Sequence, residues 1–215
     1  MYLMLATRPD ICFAVSFLSR MQDEATDNHF AHLKRVLRYL KGTQDFKLVY
    51  TRGNERPLQG YADADWANDP TDRKSTSGFL LQVFGSTVFW SSKKQALVAT
   101  STTEAEYVSA CLATMEANWL TKLLNDLNID AQQPIPIYED NNGCIFISQN
   151  PETKRSKHID VNYHYLRELV WNKKIELVGI QSKEQVADCL TKSLARVQFL
   201  KFVEALGLKR GGVLK

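Results

Sequence analysis

Two periods of apolar residues divide the chain. Over residues 1–44 apolar side chains recur every three or four positions, which predicts two helices. Pro9 suits the first turn of the first, ahead of Ile11, Phe13, Ala14, Val15, Phe17 and Leu18. The second opens at Thr26 or Asp27, whose side-chain oxygen can accept from a helix N–H that has no partner within the helix. It carries Phe30, Leu33, Val36, Leu37 and Leu40 at helical spacing and stops at Gly42, while its other face shows Lys34, Arg35, Arg38 and Lys41. That basic face reads either as a solvated surface or as a contact for phosphates. From Phe46 to Tyr50 the pattern is that of a short strand, and the polar stretch Thr51 to Pro57 marks a boundary. It divides a helical segment, 1–56, from a larger unit, 57–215.

In the larger unit strands come first. Leu58 to Asp65 forms one, and Gly78 to Phe84 followed by Thr87 to Trp90, with Gly85-Ser86 between, predicts a hairpin. Ser101-Thr-Thr-Glu104 is a capping-box pattern opening a long helix to about Leu127. Pro134 to Tyr138 is a brief strand running into a helix through Ile145 and Ile147. Val161 to Trp171 is helical, Ile175 to Ile180 a strand, and Lys183 onward a helix ending near Gly207. An antiparallel hairpin followed by strand–helix units implies an α/β fold with a mixed sheet covered by helices. Trp66, Trp90, Trp119 and Trp171 could stack on bases, but at least three of the four are expected in the core.

Composition narrows the function classes. At 215 residues, with 44% hydrophobic and 24% charged residues, the chain has the makeup of a soluble globular protein. No apolar run reaches the roughly 18 residues that span a bilayer, and the start lacks the features of a signal peptide, so an intracellular protein without membrane contact is expected. Cys12, Cys111, Cys144 and Cys189 are scattered among apolar neighbours and read as reduced, buried thiols. His29/His32 and His158/His164 have no cysteine near them, which argues against zinc. The net charge of +3 is unevenly spread: +3 over 1–56, −6 over 57–150 and +6 over 151–215. An acidic middle between basic flanks suits a cation-binding centre beside a polyanion track.

Four carboxylates stand where such a centre could form. Asp63 lies on the first strand of the larger unit, Glu106 in the first turns of the capped helix, Asp140 at the carboxyl end of the fourth strand, and Asp188 in the last helical stretch. Hard divalent cations take oxygen ligands, and a pair of them can clamp an in-line phosphoryl displacement. Glu104 and Glu106 are two residues apart, so they cannot both face one site on a helix. The wheel leaves the choice open: Val108, Cys111 and Met115 share a stripe with Glu104, yet Glu104 also stands where it can cap the helix.

The blocks Tyr61-Ala-Asp63-Ala-Asp-Trp-Ala, Arg73-Lys-Ser-Thr-Ser-Gly, Ser101-Thr-Thr-Glu-Ala-Glu-Tyr, Tyr138-Glu-Asp140-Asn-Asn-Gly, Lys157-His-Ile-Asp160 and Ala187-Asp188-Cys-Leu-Thr-Lys resemble the ribonuclease H region of copia-type retrotransposon Pol polyproteins. The resemblance runs over nearly the whole chain. It implies an RNase H-like fold with a five-stranded mixed sheet and an N-terminal helical appendage. It further implies Asp63, Glu106, Asp140 and Asp188 as ligands of two Mg2+ ions, with Mn2+ a plausible substitute, and it selects Glu106 over Glu104. The implied activity is endonucleolytic cutting of the RNA strand of an RNA/DNA hybrid, in the cytoplasm or in virus-like particles. Residues 1–50, with Arg8-Pro-Asp and Leu33-Lys-Arg-Val-Leu-Arg-Tyr-Leu-Lys-Gly, resemble the segment joining the nuclease to the reverse transcriptase, the partner expected in the same polyprotein. Cellular ribonucleases H often place Gly after the first Asp and a His before the last; this chain has Ala64 and, in Ile180-Gln-Ser-Lys-Glu, no His. No Tyr-x-Asp-Asp polymerase signature occurs.

For gripping a nucleic-acid backbone, Arg73 and Lys74 offer charge between the first two strands of the larger unit. Lys154, Arg155, Lys157 and His158 form a second group, with His164 and Arg167 on one helix face beside it. Two other readings compete. A haloacid-dehalogenase-type phosphatase also opens with Asp-x-Asp, but here Ala67 stands where Thr or Val belongs and the hairpin suits that parallel fold poorly. A catalytically silent retroelement remnant would bind nucleic acid without cutting it.

Overall fold

The structure, a computed structural model, describes residues 1–51, 56–150 and 160–211, with the side chains of 160–163 left aside. In chain order the elements are α1 (Tyr2–Ala6), a 3₁₀ turn at Pro9–Ile11, α2 (Cys12–Ser19), α3 (Asp27–Gly42), β1 (Phe46–Leu48), β2 (Gln59–Asp65), β3 (Thr76–Val83) and β4 (Ser86–Lys94). There follow α4 (Thr102–Asp126), β5 (Ile135–Glu139), α5 (Asn142–Gln149), α6 (Asp160–Trp171), β6 (Ile175–Gly179), 3₁₀ turns at Ser182–Glu184 and Val186–Leu190, α7 (Arg196–Ala205) and β7 (Leu208–Arg210).

Five strands form one mixed sheet in the order β4-β3-β2-β5-β6. β2, β3 and β4 are an antiparallel meander, and β5 and β6 add in parallel on the other side of β2. This is the helix-flanked five-stranded sheet expected of an RNase H-like fold, and the meander removes the all-parallel phosphatase fold. The β3–β4 turn sits one residue earlier than expected: Phe84 and Gly85 both have positive φ, at 48° and 75°, the pair that lets a two-residue hairpin follow the strand twist.

Each face of the sheet has its own core. On one, α4 lays Ala110, Ala113 and Ala117 against Ala62, Phe79, Leu81 and Ile137, and Leu166 and Leu169 of α6 close the flank. On the other, Leu80 meets Met4, Ile11, Cys12, Val186, Leu190, Phe202 and Leu206, a core built jointly from both ends of the chain. β1 and β7 tie those ends together as a two-stranded antiparallel sheet. All four cysteines are buried thiols, two in each core.

Several sequence expectations need correction. The last helix does not run from Lys183: two 3₁₀ turns come first, and Arg196 begins a separate helix. Three of the four tryptophans are exposed, Trp66 at 43%, Trp119 at 55% and Trp171 at 63%; Trp90 alone packs against a core, donating its Nε1 hydrogen to the Met4 carbonyl at 2.6 Å. The apolar stripe of α3 is not covered among the described residues, with Phe30, Leu33 and Leu37 all exposed. The helix touches the body through α2 and through Tyr39 and Leu40 near its end, and Phe30 and Leu33 line an open cleft beside Val15 and Leu18 of α2.

Candidate active site

The acids meet because three elements end at one place. Asp63 projects from β2 and is 1% exposed; Asp140 directly follows β5; Glu106 stands in the second turn of α4 and is 7% exposed. One carboxylate oxygen from each of Asp63, Glu106 and Asp140 lies within 4.8 Å of the other two. Local chemistry fixes this convergence. Ser101 accepts the Glu104 N–H at 3.2 Å to start α4, and Asn141 accepts the Cys144 N–H at 3.0 Å to start α5. The hydroxyl of Ser109, one turn beyond Glu106, lies 2.7 Å from the Asp63 carbonyl and bolts α4 to β2.

The fourth acid comes from the opposite core. Asp188 sits in the 3₁₀ turn Val186–Leu190, whose Thr191 N–H and Lys192 N–H both return to the Asp188 carbonyl, at 3.2 and 3.1 Å. The Thr191 hydroxyl donates to Asp63 Oδ2, and Lys192 Nζ stands 2.9 Å from Asp188 Oδ1 and 3.8 Å from Asp63 Oδ1. The turn can come this close because β3 has glycine opposite Asp63. A Cβ at Gly78 would lie 2.6 Å from Thr191 Cγ2 and 2.8 Å from Leu190 Cβ. Below it Gln185 is wholly buried. Its amide donates to the carbonyls of Ala62 and Tyr138, at 2.8 and 3.3 Å, bridging β2 and β5 where their pairing ends at Tyr61–Tyr138.

Burial dominates the electrostatics. It pushes Asp63 up to about 7, against the opposing pull of Lys192, with the Asp188 and Asp140 charges adding to the rise. It lifts Glu106 far above the usual carboxylate range, aided by Glu139, Asp63 and Asp140. Asp188 is raised by burial too, with Lys192 opposing. Glu139, on β5 beneath the site, is 0% exposed and pushed up to about 8 by burial, although it accepts the Asn141 N–H at 3.0 Å. Oε2 of Glu106 and Oε2 of Glu139 are buried and have no hydrogen-bond partner among the described residues. Concentrated, desolvated carboxylates with an orphaned oxygen suit a hard cation, and all the donor atoms are oxygens, as Mg2+ or Mn2+ requires.

The two glutamates of α4 separate cleanly. Glu106 joins the acids, while Glu104 turns away and accepts the Thr100 N–H at 2.7 Å together with the Thr100 hydroxyl. The expected basic contacts are scattered. Arg73 is exposed and Lys74 half-buried, 3.7 Å from Asp72. His164 is exposed, and the Arg167 Nε–H donates to the Ile147 carbonyl at 3.2 Å, tying α6 to α5. Lys154, Arg155, Lys157 and His158 lie outside the described residues. Sequence reasoning passed over Glu139, Gln185, Thr191 and Lys192. The signal was present: Glu139 adjoins Asp140, and Thr191 and Lys192 close the block that contains Asp188.

No family model matches the chain. It is 41% identical over 215 residues to the retrovirus-related Pol polyprotein from transposon RE2 of Arabidopsis thaliana, an alignment covering 97% of this chain and 15% of the relative. It is 39% identical over 209 residues to the Pol polyprotein from transposon TNT 1-94 of Nicotiana tabacum, covering 97% and 16% respectively. A secreted RxLR effector protein, number 161 of Plasmopara viticola, is 51% identical over 121 residues, 56% of this chain and 85% of that one. Among solved structures, an RNase H1 isolated from compost aligns over 63% of this chain and 93% of its own at 15% identity, with a TM-score of 0.49. The chain thus spans about 15% of the length of these Pol polyproteins, and its homologues include retrovirus-related Pol polyproteins of copia-type transposons, about 40% identical over nearly all of this chain.

Proposed function

We propose that the chain is the ribonuclease H domain of such a polyprotein, hydrolysing the RNA strand of an RNA/DNA hybrid during reverse transcription. The observation that carries the reading is the convergence of Asp63, Glu106 and Asp140 to within 4.8 Å at the end of the central strands. Asp63 and Asp140 would hold two Mg2+ ions, which Mn2+ could replace, with Glu106 and Asp188 completing the ligand set. Bound there, the ions supply Lewis acidity to the scissile phosphate and to the attacking water.

The chain's own residues prepare that chemistry. Ser109, Thr191 and the Gln185 bridge hold Asp63 and Asp188 in place before substrate arrives. Burial of Glu106 and Asp63 disfavours their charged forms while no cation is bound, and a bound cation would reverse that. Arg73, Lys74, His164 and Arg167, with Lys154, Arg155, Lys157 and His158, contact backbone phosphates, and the hybrid is chosen by its shape and 2′-hydroxyls. Residues 1–56 form the side facing the polymerase domain of the same polyprotein, in the cytoplasm or within virus-like particles. No helix among the described residues is long and apolar enough to cross a membrane.

The test is incubation with a labelled hybrid, duplex DNA and single-stranded RNA, with and without Mg2+. Internal cuts in the hybrid's RNA alone, only with the metal, are expected; equal cutting of all three substrates contradicts hybrid specificity. A second reading is a catalytically silent remnant that only binds nucleic acid. Hybrid binding without any cleavage selects it.

A further inference from the structure

The four carboxylates are not equivalent. Three of them, Asp63, Glu106 and Asp140, face one another within 4.8 Å, and Asp188 is not part of that group. Asp188 is held by a cation of its own chain, the Lys192 ammonium at 2.9 Å, which also reaches toward Asp63 at 3.8 Å. The pair is built in by the local backbone. The Lys192 N–H returns to the Asp188 carbonyl at 3.1 Å, so acid and base leave the same turn, and the neighbouring Thr191 hydroxyl fixes that turn to Asp63. The Asp188 side chain is 10% exposed and that of Lys192 38%, so the carboxylate is anchored while the ammonium sits on the solvent side. A lysine head on a flexible four-carbon stem can swing into water, whereas a carboxylate on a tight turn cannot follow it.

We propose that Lys192 is an internal counter-cation that competes with a divalent ion for Asp188. The proposal rests on reading the acid cluster as a divalent-cation site. A first ion on Asp63, Glu106 and Asp140 would meet only the longer, 3.8 Å contact of Lys192 and would leave the 2.9 Å Asp188–Lys192 pair in place. A second, which needs Asp188, seats only as the Lys192 ammonium withdraws, so it binds more weakly. Lys192 thereby sets the order of loading and keeps the Asp63–Asp188 side neutralised when only the first ion is bound. The displaced ammonium remains tethered at the site's rim, where phosphates of a bound strand would receive it.

Mn2+ titration of the full chain, freed of metal with a chelator and read by the electron paramagnetic resonance of free Mn2+, tests this without any turnover. Wild type is expected to bind in a tighter and a weaker step, with Asp188→Asn removing the weaker one. Lys192→Met should make the weaker step about tenfold tighter, because a unit charge a few ångströms away no longer opposes the ion. Lys192→Arg should behave as wild type, and Lys192→Met should change nothing in the Asp188→Asn background. Circular dichroism melts check that each variant folds; should Lys192→Met not fold, Lys192→Gln carries the same comparison. If Asp63→Asn leaves Mn2+ binding intact, the metal-site reading itself fails. If Asp63→Asn abolishes binding but the neutral variants leave the weaker step unchanged or weaken it, the counter-cation is overturned. It is overturned equally if those variants only reduce hybrid binding in chelator.

Discussion

Two buried ionic clusters among the described residues are built on opposite principles. Near the N-terminus, the Arg8 guanidinium clasps Asp10 at 2.7 Å and donates to the Thr43 hydroxyl and carbonyl, while the Tyr39 hydroxyl donates to Asp10 at 2.6 Å. Charges cancel there, and each polar group has a partner that α3 or the turn before α2 provides. At the end of the central strands, Asp63, Glu106, Glu139, Asp140 and Asp188 crowd together with Lys192 as the cation paired among them. The first cluster is complete and stabilises a fold. The second crowds five carboxyl groups around one lysine, and burial and mutual repulsion raise their proton affinity, which suits a site that takes a cation.

The difference can be broken most sharply at the acid cluster. Glu106→Gln should take hybrid cleavage below detection while the melting temperature holds or rises, because an amide carries no charge to desolvate. Glu104→Gln, two residues away, should keep most activity and cost roughly 1 kcal/mol or less through the weakened N-terminal cap. Parallel cleavage assays and thermal melts decide; a dead Glu104→Gln beside an active Glu106→Gln reverses the assignment. The complete cluster should respond the opposite way. Asp10→Ala leaves Arg8 buried and unpaired and should cost about 3–5 kcal/mol in urea unfolding, with no effect on Mn2+ binding to the folded fraction.

The pH dependence sharpens the contrast further. Asp63 and Glu139 have folded values raised to about 7 and about 8, so the folded chain holds protons that the unfolded chain has lost. The stability these groups contribute is full below about pH 4 and is lost as pH rises through 7 and 8, with a slope of roughly 1.4 kcal/mol per pH unit for each titrating group. Chelator-treated protein should therefore melt at lower temperature at pH 8.5 than at pH 5.5, and Mg2+ should restore more stability at the higher pH. A flat profile without metal contradicts the buried-acid account. The smallest effect belongs to the exposed face of α3. Replacing Lys34, Arg35, Arg38 and Lys41 with Gln should shift stability by about 0.5 kcal/mol or less. If they touch phosphates, the salt dependence of hybrid binding should fall by about one unit of slope per lost contact; an unchanged slope returns them to a solvated face.

Much of this was legible in the residues. Period-two stretches located β2, β3 and β4, the capping signals at Thr26 and Ser101 located two helix starts, and the resemblance supplied the fold and the four acids. What misled was side-chain size. On α4 the stripe through Val108, Cys111 and Met115 drew attention to Glu104's side, and Cys111 is indeed in the core, yet Met115 is 38% exposed and the buried face runs through Glu106, Ala110, Ala113 and Ala117. Alanines contribute little to a hydrophobic pattern, but they let a helix approach a sheet closely, and packing follows that approach. The tryptophans failed for the converse reason: Trp66 and Trp171 at element ends, and Trp119 on the outer face of α4, found no layer above them.

The sequence by itself determined which residues could bind a metal and the local segments that carry them, because caps, turns and strand alternation act over a few residues. Tertiary structure alone decided how those segments meet. Gly78 admits the Asp188 turn against β2, Gln185 bridges the gap between β2 and β5, and that docking brings Lys192 to Asp63 across 129 positions of chain. Such contacts depend on clearances between elements distant in sequence, and a linear pattern records the residues without the space between them.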